Sequence, residues 1–225
     1  MTGCDILALI ILIVVGLFVG IGLPCAIISE KREFNNGICP ICGKAFEKVD
    51  GTNMSYYWDG HNMQIHGKSE NASISSRLLT VMEGLLNEDK LREVFPIKYD
   101  ENGNEVPFMV RIYGEGYGVG IQKCGGSYIQ KNNHFRVFDI KINDFWLEWD
   151  NVLDICSKLG LDVVYDYGEM TLAEAEEFVK NGFFSPIAEN KELKAEGLVL
   201  RPLVQFTNRM GERVMVKIKT CDYKK

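Results

Sequence analysis

The chain has 225 residues, with 31 acidic against 25 basic side chains and a formal charge of −6. That length allows one sizeable core, and that charge argues against a protein gripping nucleic acid along a broad basic face, though not against one touching a few phosphates inside a cleft. The seven cysteines, at positions 4, 25, 39, 42, 124, 156 and 221, are odd in number and irregular in spacing, which argues against a secreted disulfide framework.

Residues 6–28, ILALIILIVVGLFVGIGLPCAII, run without a charge. As a helix this run is about 34 Å long at ~1.5 Å per residue, enough for a bilayer core of about 30 Å. Asp5 precedes it and no Lys or Arg does, which together with its length favours a spanning helix over a cleaved signal peptide. Lys31 and Arg32 follow it, so the expectation is a single-pass membrane protein with its bulk on the cytoplasmic side. The expected division is a transmembrane helix over 1–29, a linker over 30–45 and a catalytic-size domain over 46–225. The linker carries CPICGK, in which Cys39 and Cys42 have the spacing of half a zinc knuckle. Zinc takes four ligands, and no second C-x-x-C follows.

From residue 46 the pattern is that of a mixed domain. MSYYW, a turn at Asp59-Gly60 and HNMQIH read as a hairpin. SISSRLLTVMEGLLN places Ile74, Leu78, Met82 and Leu85 on one helical face. PFMVRIYGEGYG reads as a strand ending in a glycine-rich turn. FRVFDIKI and FWLEW read as a strand pair joined at Asn143-Asp144, with Phe138 and Asp139 on opposite faces. DNVLDICSKLG reads as a short helix with Asp150 as N-cap and Gly160 just past its end. TLAEAEEFVKNG carries a capping box, Thr171 with Glu174. EGLVLRPLVQF and RVMVKIKT read as a closing hairpin turned at NRMGE. The mixture predicts an α+β fold of antiparallel sheets with flanking helices.

Chemistry concentrates at a few positions. A lysine amine is protonated at neutral pH and a poor nucleophile; neighbouring cations or desolvation favour its neutral form. Lys48 precedes Asp50-Gly51, and Lys217 and Lys219 share one face of the last strand. Placed beside Lys48, they would favour the free amine and neutralise a triphosphate. Glu115 and Glu196 are flanked by glycines, which let backbone approach a ligand closely. A carboxylate there can meet a ribose hydroxyl or a hydrated magnesium ion.

Read in order, EKVDGTN, HGKSENA, YGEGYG, FRVFDI, EGLVLRP and VMVKIKT resemble the successive motifs of the RNA ligase family of covalent nucleotidyltransferases, over residues 46–225. The resemblance implies an ATP-grasp-like nucleotidyltransferase domain that uses ATP and Mg2+. It makes Lys48 the nucleophile that attacks the α-phosphate of ATP and becomes a lysine–AMP. Glu47, with the backbone around Val49, would fix the adenine, and Asn53 would sit near the phosphate. Lys68 falls where the family more often has arginine, whose bidentate fork lysine cannot reproduce. Glu115 would meet the ribose, Phe138 would stack on the adenine, Glu196 would help hold the metal, and Lys217 and Lys219 would contact the α-phosphate. AMP would then pass to an RNA 5′-phosphate at a nick or break, and a 3′-hydroxyl would seal the strand, a role in RNA repair.

The family usually carries some tens of residues ahead of the nucleophile motif, where this chain has the apolar run and CPICGK. Two alternatives therefore stand beside an RNA-sealing enzyme: a non-catalytic nucleotide-binding membrane protein and a DNA-sealing relative. His61, His66 and His134 are assigned no role.

Overall fold

The computed structural model describes residues 43–69, 73–203 and 206–223. The apolar run at 6–28, most of the linker and the Cys39/Cys42 pair lie outside the described residues. Among those described, no helix is long and apolar enough to cross a membrane.

Two antiparallel sheets face one another. The first has four strands in the order β11-β10-β1-β9, where β1 is Gly43–Lys48, β9 Asp166–Met170, β10 Gly197–Pro202 and β11 Val216–Lys219. The second has five, in the order β3-β2-β6-β7-β8: β2 Thr52–Trp58, β3 Met63–Gly67, β6 Val110–Gly118, β7 Asn133–Ile142 and β8 Phe145–Trp146. A two-stranded ribbon, β4 (Lys98–Tyr99) with β5 (Glu105–Val106), stands apart from both. The predicted hairpins are present: β2 with β3, β7 with β8 across Asn143 at φ 52°, and β10 with β11.

Alternation decides which way each strand faces. Met54, Tyr56 and Trp58 of β2 and Val110 and Ile112 of β6 turn inward beneath helix α1, Ser76–Leu85. Leu78 and Met82 of α1 are fully buried there, and the Tyr56 hydroxyl donates to the Met82 carbonyl at 2.7 Å. Helix α2 (Glu88–Val94) adds Leu91, and helix α4 (Trp149–Leu159), which follows the short α3 (Gly125–Tyr128), adds Val152, Cys156 and Leu159. On the outer side of the four-stranded sheet, helix α5 (Leu172–Asn181) buries Ala175 and Val179 against Ala45, Leu198 and Leu200. Its capping box, Thr171 with Glu174, is formed in both directions.

Three local expectations are corrected. The YGEGYG stretch is not a turn: β6 runs straight through it to Gly118. A Cβ at Gly116 would stand 2.5 Å from Leu78 Cδ2, so glycine here serves close packing of α1 on the sheet rather than chain reversal. Helix α4 begins two residues early, with Glu148 at the N-cap and Asp150 in the first turn, because Trp149 seats its ring 4.5 Å from that of Phe46. A bulge in β7 opposite Tyr113/Gly114 breaks the alternation at Phe138. Phe138 and Asp139 therefore both face Arg201, at 6.0 Å from the ring centroid and 3.6 Å from Oδ2.

Candidate active site

Strand β1 lies between β9 and β10, and its register sets Lys48 opposite Gly197. Gly197 is in turn opposite Lys219, and Val199 opposite Lys217. The nucleophile candidate, the glutamate preceding β10 and the two lysines of β11 thus converge at one corner of the sheet. Lys48 Nζ donates to Glu196 Oε2 at 2.6 Å, and Lys219 Nζ lies 3.8 Å from Glu196 Oε1. Glu196 is therefore the direct partner of Lys48 and stands between it and Lys219.

Lys48 and Lys217 border a cavity of about 100 Å³ between the two sheets, lined in part also by Glu47, Val49, Asn53, Glu115 and Phe138. Asn53 and Glu115 are cross-strand partners on β2 and β6, which is why residues 62 apart in sequence arrive side by side. Gly51, in the turn between β1 and β2, lets that turn pass over β6: a Cβ there would meet the Gly116 carbonyl and stand 2.7 Å from Glu115 Cγ.

Burial dominates the electrostatics. The Glu115 carboxyl is pushed up to about 7 by desolvation, against the pull of Lys48 and with added repulsion from Glu196. Glu47 is likewise raised to about 7 by burial, with Ser185, Arg136 and Tyr128 pulling the other way. The Tyr128 hydroxyl approaches Glu47 Oε1 at 3.5 Å, while Oε2 is buried without a hydrogen-bond partner. An unpaired buried carboxyl oxygen beside a cavity is suited to a ligand donor group.

Of the residues singled out in the sequence, Lys68 alone stands outside this assembly: it is exposed in a bend past β3 and does not line the cavity. Lys219 sits at the rim, 44 % exposed. Sequence reading missed Arg201, Val199, Met215, Val164 and Phe46, which complete the lining. Arg201 and Val199 follow Gly197 at period two on β10, and Met215 precedes Lys217 in the same way, so alternation could have found them. Val164 arrives through an isolated parallel bridge, Val137 to Val163, which no local pattern signals.

Among the described residues, no group of three or more His, Cys, Asp or Glu side chains gathers to hold a metal unaided. The arrangement supplies an amine, a carboxylate on that amine, a second buried carboxyl, further cations and an aromatic wall. Those are parts for nucleophilic attack on a phosphate ester.

A family model described as RNA ligase matches residues 45–219. Among solved structures, the chain is similar to a Naegleria gruberi RNA ligase mutant with ATP and Mn, at 18% identity and TM-score 0.58, covering 82% of this chain and 50% of that one. It is similar to the same organism's RNA ligase with PPi, at 19% identity and TM-score 0.57, over 82% and 51%. It is also similar to another mutant with AMP and Mn, at 18% identity and TM-score 0.57, over 82% and 51%. These likenesses show the fold, and the chain spans about half the length of the structures it matches. No curated protein matches the chain.

Proposed function

The chain belongs to the RNA ligase family, and from that footing we propose that it is an ATP-dependent RNA ligase working through a lysine–AMP at Lys48. The observation that carries the reading is the placement of Lys48 Nζ, 2.6 Å from Glu196, in a cavity that also holds Glu115, Phe138 and Lys217. The Naegleria gruberi structures with ATP, AMP and PPi support it by fold.

In this reading adenine enters between Phe138 and the aliphatic wall of Val199 and Met215, and the unpaired Glu47 Oε2 takes a donor from it. Glu115 meets the ribose. Lys217 and Lys219 neutralise the phosphates. Lys48 loses its proton to water in the cleft and its nitrogen attacks the α-phosphorus. A P–N bond forms, the P–O bond to the β-phosphate breaks, and pyrophosphate leaves. AMP then passes from Lys48 to an RNA 5′-phosphate, and a 3′-hydroxyl displaces it to close the strand.

The donor set fits a hard divalent cation held by few protein ligands. Glu196, together with substrate phosphate oxygens and water, matches the habit of Mg2+, which keeps several waters and uses one or two carboxylates. Such a cation would neutralise phosphate charge and compete with Lys48 for the Glu196 carboxylate, favouring the free amine.

The test is intact mass after incubation with ATP and Mg2+. The wild type is expected to gain one AMP, and Lys48→Ala is expected to gain none. An adduct persisting in Lys48→Ala would remove Lys48 from the chemistry. Comparing sealing of nicks with RNA or DNA on the 3′-hydroxyl side separates an RNA ligase from a DNA-sealing relative. Tethering to a membrane through residues 6–28, with the domain on the cytoplasmic side, rests on the charge-free run and on Lys31 and Arg32. Recovery of the full chain in the soluble fraction after gentle lysis would overturn that part.

A further inference from the structure

The cavity-facing side of the five-stranded sheet extends well past Asn53 and Glu115. On β2, Tyr57 lies on the same face as Asn53, and on β6, Arg111 and Tyr113 lie on the same face as Glu115. Cross-strand pairing then lines up one row: Tyr57 opposite Arg111, Arg111 opposite Lys141, and Lys141 opposite Trp146. The row is four residues along β6 from Glu115, about 13 Å at ~3.3 Å per residue.

Along this row aromatic rings and cations interleave. The Arg111 guanidinium lies 5.3 Å from the Tyr57 ring, and the Lys141 ammonium lies 5.6 Å and the Arg213 guanidinium 5.4 Å from the Trp146 ring. Tyr113 packs 5.4 Å from Trp146, and the Trp146 Nε1–H donates to the Gly211 carbonyl at 3.2 Å. Arg111 is exposed and has no carboxylate partner among the described residues. Lys141 reaches only the exposed Asp144, at 3.4 Å, a surface pair of the kind that contributes little. In a chain of net charge −6, cations held on ring faces beside the cavity are against the average. A water-exposed sheet face without a partner would be served as well by uncharged polar residues.

We propose that this row is the track for an unpaired RNA strand whose 5′-phosphate end reaches Lys48. The Tyr57 ring offers a face on which a base stacks whatever its identity, and Arg111 and Lys141 follow the phosphates. The track is continuous with the cavity along β2 and β6, so a strand lying on it leads to the adenylyl group. The proposal rests on the ligase reading above, but it is tested apart from it.

The probe is a fluorescent single-stranded RNA with a 5′-phosphate, titrated with the full chain in detergent. Binding by anisotropy is followed as a function of salt, and AMP uptake by intact mass is measured in the same preparations. Arg111→Ala is expected to weaken RNA binding about ten-fold and to lower the magnitude of the salt slope by about 0.7, the value of one single-strand phosphate contact. Tyr57→Ala is expected to weaken binding about ten-fold with the slope unchanged. Both are expected to take up AMP as the wild type does, which also shows that they fold. Wild-type affinity and slope in both variants, or no RNA binding by the wild type, would overturn the track. Normal RNA binding by the track with no AMP on Lys48 would leave it standing and overturn the ligase chemistry instead.

Discussion

Glu47 is 2 % exposed, and removing its carboxyl from water outweighs the neighbours that favour its charge. The sign of the consequence follows from linkage. The folded chain holds this proton up to about pH 7, while the unfolded chain releases it near 4.5. Its contribution to stability is therefore fully present below the unfolded value and is lost as pH rises through about 7. Glu47→Gln is expected to be more stable than the wild type by on the order of 2 kcal/mol at pH 8, with the difference vanishing towards pH 4.5. Urea denaturation at the two pH values measures it. The same substitution removes a carboxylate assigned to adenine, so gained stability and weakened ATP binding are expected together. That Glu47, Lys48 and Glu115 are candidates for one site was legible in the order of motifs, and they do line one cavity. The raised carboxyl of Glu47 was not legible, because it comes from burial, opposed by Ser185, Arg136 and Tyr128, which lie in distant segments.

Strand β6 shows what period two can and cannot reveal about an element. Its inward residues Val110 and Ile112 were readable, as was the helical face of Leu78 and Met82. The glycines at 114 and 116 read as a turn because glycine is punctuation in most sequences. Here Gly116 is demanded by a helix pressed onto the sheet and Gly114 by Phe135 and Arg136 of the adjacent strand β7, contacts between elements that neither sequence stretch displays alone. Gly116→Ala is expected to force Leu78 out of place and to lower stability by about 1–3 kcal/mol, read from denaturation midpoints. AMP uptake should survive at temperatures where the variant remains folded. The position of α4 was missed by two residues for a similar reason. Trp149 is drawn in by Phe46 of β1, a residue on the other sheet.

Across the whole molecule, the two sheets are joined by a buried ionic knot. Asp139 of β7 accepts from Arg213 Nη1 at 2.6 Å on both oxygens and lies 3.6 Å from Arg201 Nη1 of β10. Burial still pushes the Asp139 carboxyl up, with the two arginines opposing it. Asp139→Asn would leave two largely buried guanidinium groups uncompensated and is expected to cost about 3–5 kcal/mol, visible as a lower unfolding midpoint. Loosened packing of the sheets should also raise the KM for ATP. The topology has a further consequence for biosynthesis. β1, the first strand of the described domain to be translated, finds its neighbours only in β9 and β10, and Lys48 meets Glu196 across 148 residues. A nascent chain therefore carries Lys48 unpaired with Glu196 until β10 has emerged from the ribosome, and such non-local pairing is slow to form. Polypeptides released early by stalled translation would hold Lys48 without the strand that completes its surroundings.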